Sequence, residues 1–410
     1  MSAPAHVVFV VPFLLESSLR FARAAAKLPG VRLAILSQEP PARLPEDLRA
    51  LVSAYRQLPD AMNAPGLVEG VRSVAREWGG RVDRVMGILE QLQVPLAEVR
   101  ETLGIRGMDV EEARHFREKS LMKQRLAAHG LPCARHVLAQ SASQAQAFAA
   151  TVGYPLVVKP PAGAGSRNTF RVDRAEELAD WLASDAPRTE APVLIEEFIT
   201  GEEYSFDTIT LHGVHKLHSI SRYVPGPLEV LANPWIQWTV QLPRRIDGPE
   251  FDAIKAAGPR AIEVLGIHTG LTHMEWFRRP DGSIAISEVA ARPPGAQFTS
   301  LLSWAHDFDF YSAWARLIVF EEFDVPERRF SAGAAYLRGQ GRGRVKAIHG
   351  FEELRRELGP LIVETRLPEI GQQPTGAYDG EGHVILRHPE TEVVAAGLKR
   401  IVSSVRVELG

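Results

Sequence analysis

Between Gly270 and Gly295 the chain reads GLTHMEWFRRPDGSIAISEVAARPPG. Two alternating apolar runs flank Asp281-Gly282, the strongest short-range signal for a β-hairpin with a two-residue turn. With Asp281 and Gly282 as the turn, Pro280 faces Ser283, and stepping outward sets Glu275 directly opposite Glu288 on the same face. Their Cβ atoms then stand roughly 4.5–5.5 Å apart, and like charges so placed destabilise a sheet. Two readings follow: both carboxylates are solvated on an exposed face, or they share a cation. Two carboxylates, with phosphate oxygens and water in the remaining positions, are the usual way to hold Mg²⁺ beside a nucleotide. Arg292, four residues beyond Glu288, favours the shared cation, because a guanidinium next to a metal-bound phosphate has an obvious task.

A second stretch fits that reading. YPLVVKPPAGAGSRNTFRV, Tyr154 to Val172, ends an apolar strand on Lys159, passes through two prolines and a loop of small residues, and resumes an extended pattern. Backbone N–H groups of Gly163, Ala164, Gly165 and Ser166 can approach phosphates closely because little side chain intervenes. The order differs from the Walker loop, whose lysine follows its glycines and leads into a helix. By itself such a loop is an ordinary turn; with Lys159 before it and a carboxylate pair downstream it reads as a phosphate site.

Around these motifs strands and helices interleave. HVVFVVPF, ESSLRFARAAAKLPG and VRLAILS read as strand, helix with a glycine stop, and strand, a βαβ opening that predicts a parallel sheet. It contains no G-x-G-x-x-G, which argues against a dinucleotide-binding dehydrogenase. From Gly66 to about Gly130 the pattern is mostly helical, with one amphipathic helix opened by Asp109, supported by Glu112 as a capping box, and closed by Gly130. A helix at SASQAQAFAATVG precedes the Lys159 strand, and DRAEELADWLAS starts another with Asp173 and Glu176 as its box. Three extended runs, PVLIEEFI, EYSFDTITL and VHKLHSISRY, follow. The fold class is therefore α/β and α+β, in several lobes.

At 410 residues the chain exceeds one simple core. A formal charge of −3 provides no basic field for a polyanion, so nucleic acid is not an expected partner. The lone Cys133 permits no internal disulfide and fits a reducing cytoplasm, the expected location. HVVFVVPFLL lacks a basic leader and no apolar run reaches spanning length, so neither a signal peptide nor a membrane partner is expected.

In these motifs the chain resembles the ATP-grasp superfamily, specifically the carboxylate–amine ligases that include the bacterial L-amino acid (dipeptide) ligases. The resemblance covers roughly Leu96 to Phe320. REKSLMKQRLAAHGLP looks like the segment carrying the first nucleotide lysine, here Lys119, with Glu118-Lys119 where the family often has Asp-Lys. YPLVVKPPAGAGS looks like the strand of the second lysine, Lys159, with the phosphate loop Gly163, Gly165 and Ser166. LIEEFITGEEYSFD looks like the hinge, which implies that Glu196 and the backbone of Glu197, Phe198 and Ile199 hold the adenine edge and Glu203 the ribose. HMEW and SEVAARPPG look like the metal strands, implying Glu275 and Glu288 as ligands and Arg292 against phosphate and the reacting carboxylate. Many relatives read Glu-x-Asn where this chain has Glu288-Val289-Ala290, which leaves one or two Mg²⁺ ions open, with Mn²⁺ able to substitute.

The resemblance implies an ATP-grasp fold: an N-terminal α/β domain at 1–112, a small lobe with the phosphate loop at 113–198, a large lobe with the metal site at 199–322, and a C-terminal α+β part of the large lobe at 323–410. It implies an ADP-forming enzyme that phosphorylates a carboxylate, of an amino acid in the expected case, and joins it to an amine. ATP and Mg²⁺ are the cofactors, and a homodimer is the expected assembly. A bicarbonate-activating carboxylase of the same superfamily and a non-catalytic ATP-binding regulator are the alternatives.

Other residues carry weaker signals. His273, two residues before Glu275, is a candidate base for the amine, with a structural histidine as the alternative. His212, His215 and His218 do not suggest a metal, since positions 215 and 218 on a strand face opposite sides. The arginines of RGQGRGRVK read as a glycine-interrupted strand connection rather than an RNA tract. PGPLEVLANPWIQWTV is irregular and aromatic, the best candidate for a substrate-facing loop. Trp235, Trp276 and Gly295 are candidate substrate contacts; Trp238 and Trp304 lie in the same half of the chain, and core packing is the default for any one of the tryptophans.

Overall fold

The computed structural model describes residues 3–162, 169–185, 187, 188, 190–376 and 379–410. The opening pattern builds a parallel sheet from β1 (Ala5–Val10), β2 (Val31–Ser37), β3 (Ala54–Gln57) and β4 (Arg84–Met86), in the order β3-β2-β1-β4. Strand β4 lies within the stretch expected to be mostly helical. Its three residues are too few to carry a period.

A small antiparallel sheet follows, from β5 (His136–Ala139), β6 (Leu156–Lys159), β7 (Phe170–Val172) and β8 (Val193–Glu197), in the order β5-β8-β6-β7. The large antiparallel sheet begins with β9 (Glu202–Leu211), β10 (Val214–Val224), β11 (Trp238–Leu242), β12 (Gly270–Arg278), β13 (Ile284–Ala290) and β14 (Ser331–Leu337). Strands β15 (Gly339–Gly341) and β16 (Val345–His349) leave it, β17 (Ile362–Arg366) and β18 (Gly382–His388) rejoin it, and β19 (Arg406–Leu409) pairs with β15 and β16. The large sheet thus runs β13-β12-β9-β10-β11-β14-β18-β17.

The large sheet is buried on both faces. One packs Trp238, Tyr336 and Leu271 with the first helix, Glu16–Ala26, and the N-terminal sheet; the other packs Met274, Trp276 and Ile286 with the helix Asp252–Leu265. The N-terminal sheet is thereby fixed to the back of the large sheet, while β6 and β8 of the small sheet face β9, β12 and β13 across a cleft whose walls both contribute residues. Between β8 and β9 the chain closes tightly on β12. A Cβ at Gly201 would stand 2.3 Å from the Arg278 carbonyl oxygen, so the connection requires glycine there. No helix among the described residues is long and apolar enough to cross a membrane.

Several local expectations are corrected. The single helix expected from Asp109 is two, Val110–Arg117 and Lys119–Ala128, because Glu118 is extended (φ −96°, ψ 103°). The Asp109–Glu112 capping box forms as expected. At the next helix start, Glu177 rather than Glu176 accepts the Asp173 N–H, at 2.9 Å. His215 and His218 are brought to one side by a β-bulge between His215 and Leu217, with ring centroids 6.4 Å apart. His215 pairs instead with Thr210, and His218 stacks on Phe206. Among the described residues no group of three metal-ligating side chains forms.

The hairpin is corrected twice, with offsetting effect. Its loop has three residues, Pro280–Asp281–Gly282, closed by the Arg279 N–H on the Ser283 carbonyl at 2.8 Å, with Gly282 at φ +83°. The longer loop shifts the register by one, so Arg278 pairs with Ile284 and Trp276 with Ile286. A bulge that absorbs Ser287 shifts it back, and Glu275 does pair with Glu288.

A polar cluster ties the first helix to the large sheet. Arg20 donates to Glu364 on β17 at 3.0 Å and to Ser300 at 3.0 Å, while Trp304 Nε1 donates to the second Glu364 oxygen at 3.1 Å. Burial alone would raise the Glu364 carboxyl, but His383, Trp304 and Arg20 bring it to about 2 from an ordinary 4.5. A depressed folded-state pKa stabilises above the unfolded value, and that stability fades as pH falls from 4.5 towards 2. Glu364→Gln should therefore lose on the order of 2 kcal/mol near neutrality and show a flatter stability profile across that window, read by urea unfolding at a series of pH values.

Candidate active site

The cleft between the small and large sheets is lined by Lys159, Glu196, Phe198 and Ile199 from the small sheet and its exit, by Glu203, Glu275, Ser287 and Glu288 from the large sheet, and by Lys119, whose helix packs against the large sheet through Met122 and Leu126. Lys119 is the first residue of its helix, where the backbone dipole disfavours a cation but favours a bound anion. It is buried there, its N–H donating to the Pro161 carbonyl at 2.9 Å and its ammonium 2.5 Å from Glu288. The break at Glu118 is what brings it inward. Burial alone would raise the Glu288 carboxyl, but the charges of Lys119, Lys159 and Arg292 hold it below its usual range. Glu203 differs: burial and the Glu275 charge raise it well above the carboxylate range, although Lys159 opposes them. Glu288 is thus matched by cations, whereas Glu203 is left short of positive charge.

Lys159, at the end of β6, lies 2.9 Å from Glu196. On the other side of Glu196, at 3.3 Å, is Lys123, which is wholly buried. Burial depresses the Lys123 ammonium despite Glu196, whereas burial is outweighed at Lys159, which Glu196 holds above its usual value. The Glu196 carboxylate expected at the adenine edge thus lies between two lysines. Glu197 also lines the cleft, and its carboxylate accepts from Arg135 at 2.6 Å and Arg279 at 3.1 Å. The Phe198 N–H donates to the Pro155 carbonyl at 3.0 Å, so it is not available to a base edge. Gly163, Gly165 and Ser166 lie outside the described residues.

His273 does not line the cleft. Its ring is buried, with Nδ1 2.5 Å from Asp207 and Nε2 3.4 Å from the Tyr223 hydroxyl and 3.8 Å from Glu275. Burial would lower its pKa, but Asp207 and Glu275 raise it to about 9. This geometry corrects the expected role as a base presented to the amine: His273 is a buried histidine held by Asp207 beside Glu275. Trp276 is also corrected. It has no exposed surface and stacks on Tyr204 at 4.8 Å, which makes it core. Trp238 is core too, stacked on Tyr336 at 4.4 Å. Trp235 is 59% exposed, on the turn after the helix Pro227–Ala232, and Leu228 of that helix is the residue of the irregular segment that lines the cleft. Gly295 lies exposed in the turn before the helix Phe298–His306.

Arg292 stands beyond Glu288 rather than in the cleft wall, and its guanidinium donates to Glu90 and to the Pro293 carbonyl. Glu90 is buried, with Arg117 4.0 Å from its other oxygen. Glu90, Lys123, Asp207 and Arg338 were not singled out in the sequence. The first three are charged residues inside apolar or helical patterns, the signal available for them. Arg338 pins the Leu228 segment by donating to the carbonyls of Val230 at 2.6 Å and Asn233 at 3.1 Å, a contact across more than a hundred residues that no local pattern announces.

Comparison with known proteins agrees with this architecture. Residues 124–302 match the ATP-grasp domain. The chain is 22% identical over 309 residues to the L-arginine-specific L-amino acid ligase of Bacillus subtilis, covering 73% of this chain and 74% of that one. It is 29% identical over 218 residues to the D-alanine–D-alanine ligase of Stutzerimonas stutzeri, covering 52% and 65%. In structure it superposes on the L-amino acid ligase of Bacillus licheniformis with a TM-score of 0.78 and 20% identity over the whole of both chains. The α/β, α+β architecture is the ATP-grasp fold.

Proposed function

We propose that this chain, which has the ATP-grasp fold, is an ADP-forming ligase that activates a carboxylate, that of an amino acid, as an acyl phosphate and joins it to an amine. One observation carries the reading: two buried lysines, Lys119 and Lys159, and two facing carboxylates, Glu275 and Glu288, line a single cleft. Lys119 and Lys159 are suited to nucleotide phosphates, and the helix that starts at Lys119 adds its N-terminal dipole. Glu275 and Glu288 suit Mg²⁺: Lys119 is the cation that meets Glu288, His273 stands 3.8 Å from Glu275, and Glu203 lacks a matching charge. Mg²⁺ held by these two carboxylates would neutralise phosphate charge during transfer. Ala290 offers no amide oxygen to a metal ion there.

In the first step a substrate carboxylate oxygen attacks the γ-phosphorus, and the bond to the β-phosphate oxygen breaks, releasing ADP. In the second the amine attacks the acyl carbon, phosphate leaves with the bonding electrons, and the amine loses a proton. Phosphoryl transfer depends on positioning and charge neutralisation, which the lysines of the cleft supply. Arg292, which donates to Glu90, stabilises the oxyanion of the second step in this reading by exchanging that contact for substrate. Arg292→Ala should lower amide formation by about 10²-fold or more while ATP still binds. Unchanged product formation would remove Arg292 from the mechanism.

The deciding test is ADP release from ATP and Mg²⁺ against pooled amino acids and amines, with mass spectrometry of each mixture. The expected result is a product weighing the two substrates less one water. ADP release that requires bicarbonate would replace this reading with a carboxylase. ATP binding without turnover in any pool would replace it with a regulator.

A further inference from the structure

A second cavity lies at the back of the molecule, where the N-terminal sheet meets the large sheet. It is enclosed by β4, the helix Gln93–Leu103, the start of β12 and the segment following β13, and shares no lining residue with the nucleotide cleft. Its charged lining is Arg84, Arg100, Arg106, Arg292 and Glu321, four guanidiniums against one carboxylate. Two of the four are matched: Arg84 to Glu321 at 3.1 Å and Arg292 to Glu90.

Of the other two, Arg106 is exposed and Arg100 is buried. Arg100 is 8% exposed, it donates from Nε to the Met108 carbonyl at 3.0 Å and from Nη1 to the Val85 carbonyl at 3.4 Å, and Nη2 has no hydrogen-bond partner among the described residues. Glu112, Asp109 and Glu101 attract it through space, but none forms an ion pair with it. Burial lowers its pKa to about 10 against their pull. The chain nonetheless closes over this side chain: a Cβ at Gly107 (φ +143°) would stand 2.7 Å from Arg100 Cδ. Burying a guanidinium without a counter-ion is costly, and an oxyanion is what its planar donors match. Arg106, exposed on the same loop, stands at the mouth.

We propose that this cavity binds a small oxyanion, a phosphate or a carboxylate, with Arg100 as its central ligand and Arg106 at its entrance. The site stands apart from the ligase reading, since no nucleotide residue belongs to it. It does share Arg292, whose charge reaches Glu288, so an anion here draws on the guanidinium that serves the reaction centre.

The test uses the intact protein in two ways. Crystals soaked in selenate should show an anomalous peak beside Arg100, and calorimetric titration with inorganic phosphate and, separately, succinate should give saturable binding of at least one. Arg106→Ser, which alters only an exposed side chain, should weaken that binding about tenfold, and Arg100→Met should abolish it. Binding of phosphate alone identifies a phosphoryl ligand, and binding of succinate alone a carboxylate. A selenate peak confined to Lys119 and Lys159, or affinities unchanged in Arg106→Ser, would overturn the proposal whether or not Arg100→Met folds.

Discussion

Replacing Lys159 with methionine is expected to lower ATP-dependent turnover by about 10²–10³-fold while leaving the protein folded. The lysine ends β6 with its ammonium buried against Glu196 at the edge of the cleft, where a charged group is worth far more than in water. Methionine keeps the aliphatic volume and removes only the cation. Glu196 still has Lys123 at 3.3 Å, so no buried charge is abandoned. The check is ADP release at saturating ATP together with circular dichroism. Turnover within a few-fold of wild type would show that Lys159 serves the fold and not the phosphates.

The opposite asymmetry is expected one residue away. Glu196→Gln should cost about 3 kcal/mol of stability, because removing the shared carboxylate strands two lysines side by side. Lys159 can turn towards the cleft, but Lys123 has no exposed surface and cannot. Its ammonium is already depressed by burial, and losing Glu196 depresses it further. The unfolded chain then binds more protons than the folded one, so stability of the variant should rise with pH towards the ordinary lysine value of about 10.4. Urea unfolding from pH 7 to pH 10 reads both the loss and its sign. A variant as stable as wild type, with no pH dependence in that range, would mean that Lys123 is solvated after all.

These two variants mark how much of the site was legible in the sequence. Lys159, Glu275 and Glu288 stood out because each carries charge where the surrounding pattern is apolar, Lys119 was found only through the resemblance to the ATP-grasp ligases, and all four line one cleft. Glu196 stood out too, but its lysine partner Lys123 was hidden. In a continuous helix from Asp109 to Gly130, Lys123 reads as one more solvated charge, and only the break at Glu118 turns its helix inward. His273 failed for a different reason. Alternation correctly put it on the Glu275 face, but Asp207, which holds it at 2.5 Å, comes from β9, sixty-six positions earlier, by strand pairing alone. Trp276 was expected at the substrate and is core, since an alternating pattern cannot say which face of a sheet a later helix will cover.

The sequence by itself determined what local physics controls: the βαβ start, most of the capped helices, the hairpin and its opposed carboxylates, and the charged residues whose burial demands a reason. Even the hairpin was right by compensation, a loop one residue longer than expected cancelled by a bulge at Ser287. Only the tertiary structure decided which charges meet. The Lys119–Glu288 pair, the Lys123–Glu196–Lys159 chain, the Glu90–Arg292 contact and the arginine-lined cavity all join segments far apart in the chain. Coulombic and desolvation energies depend on distance and burial in space, and neither quantity is written in the local pattern that sets a helix or a strand.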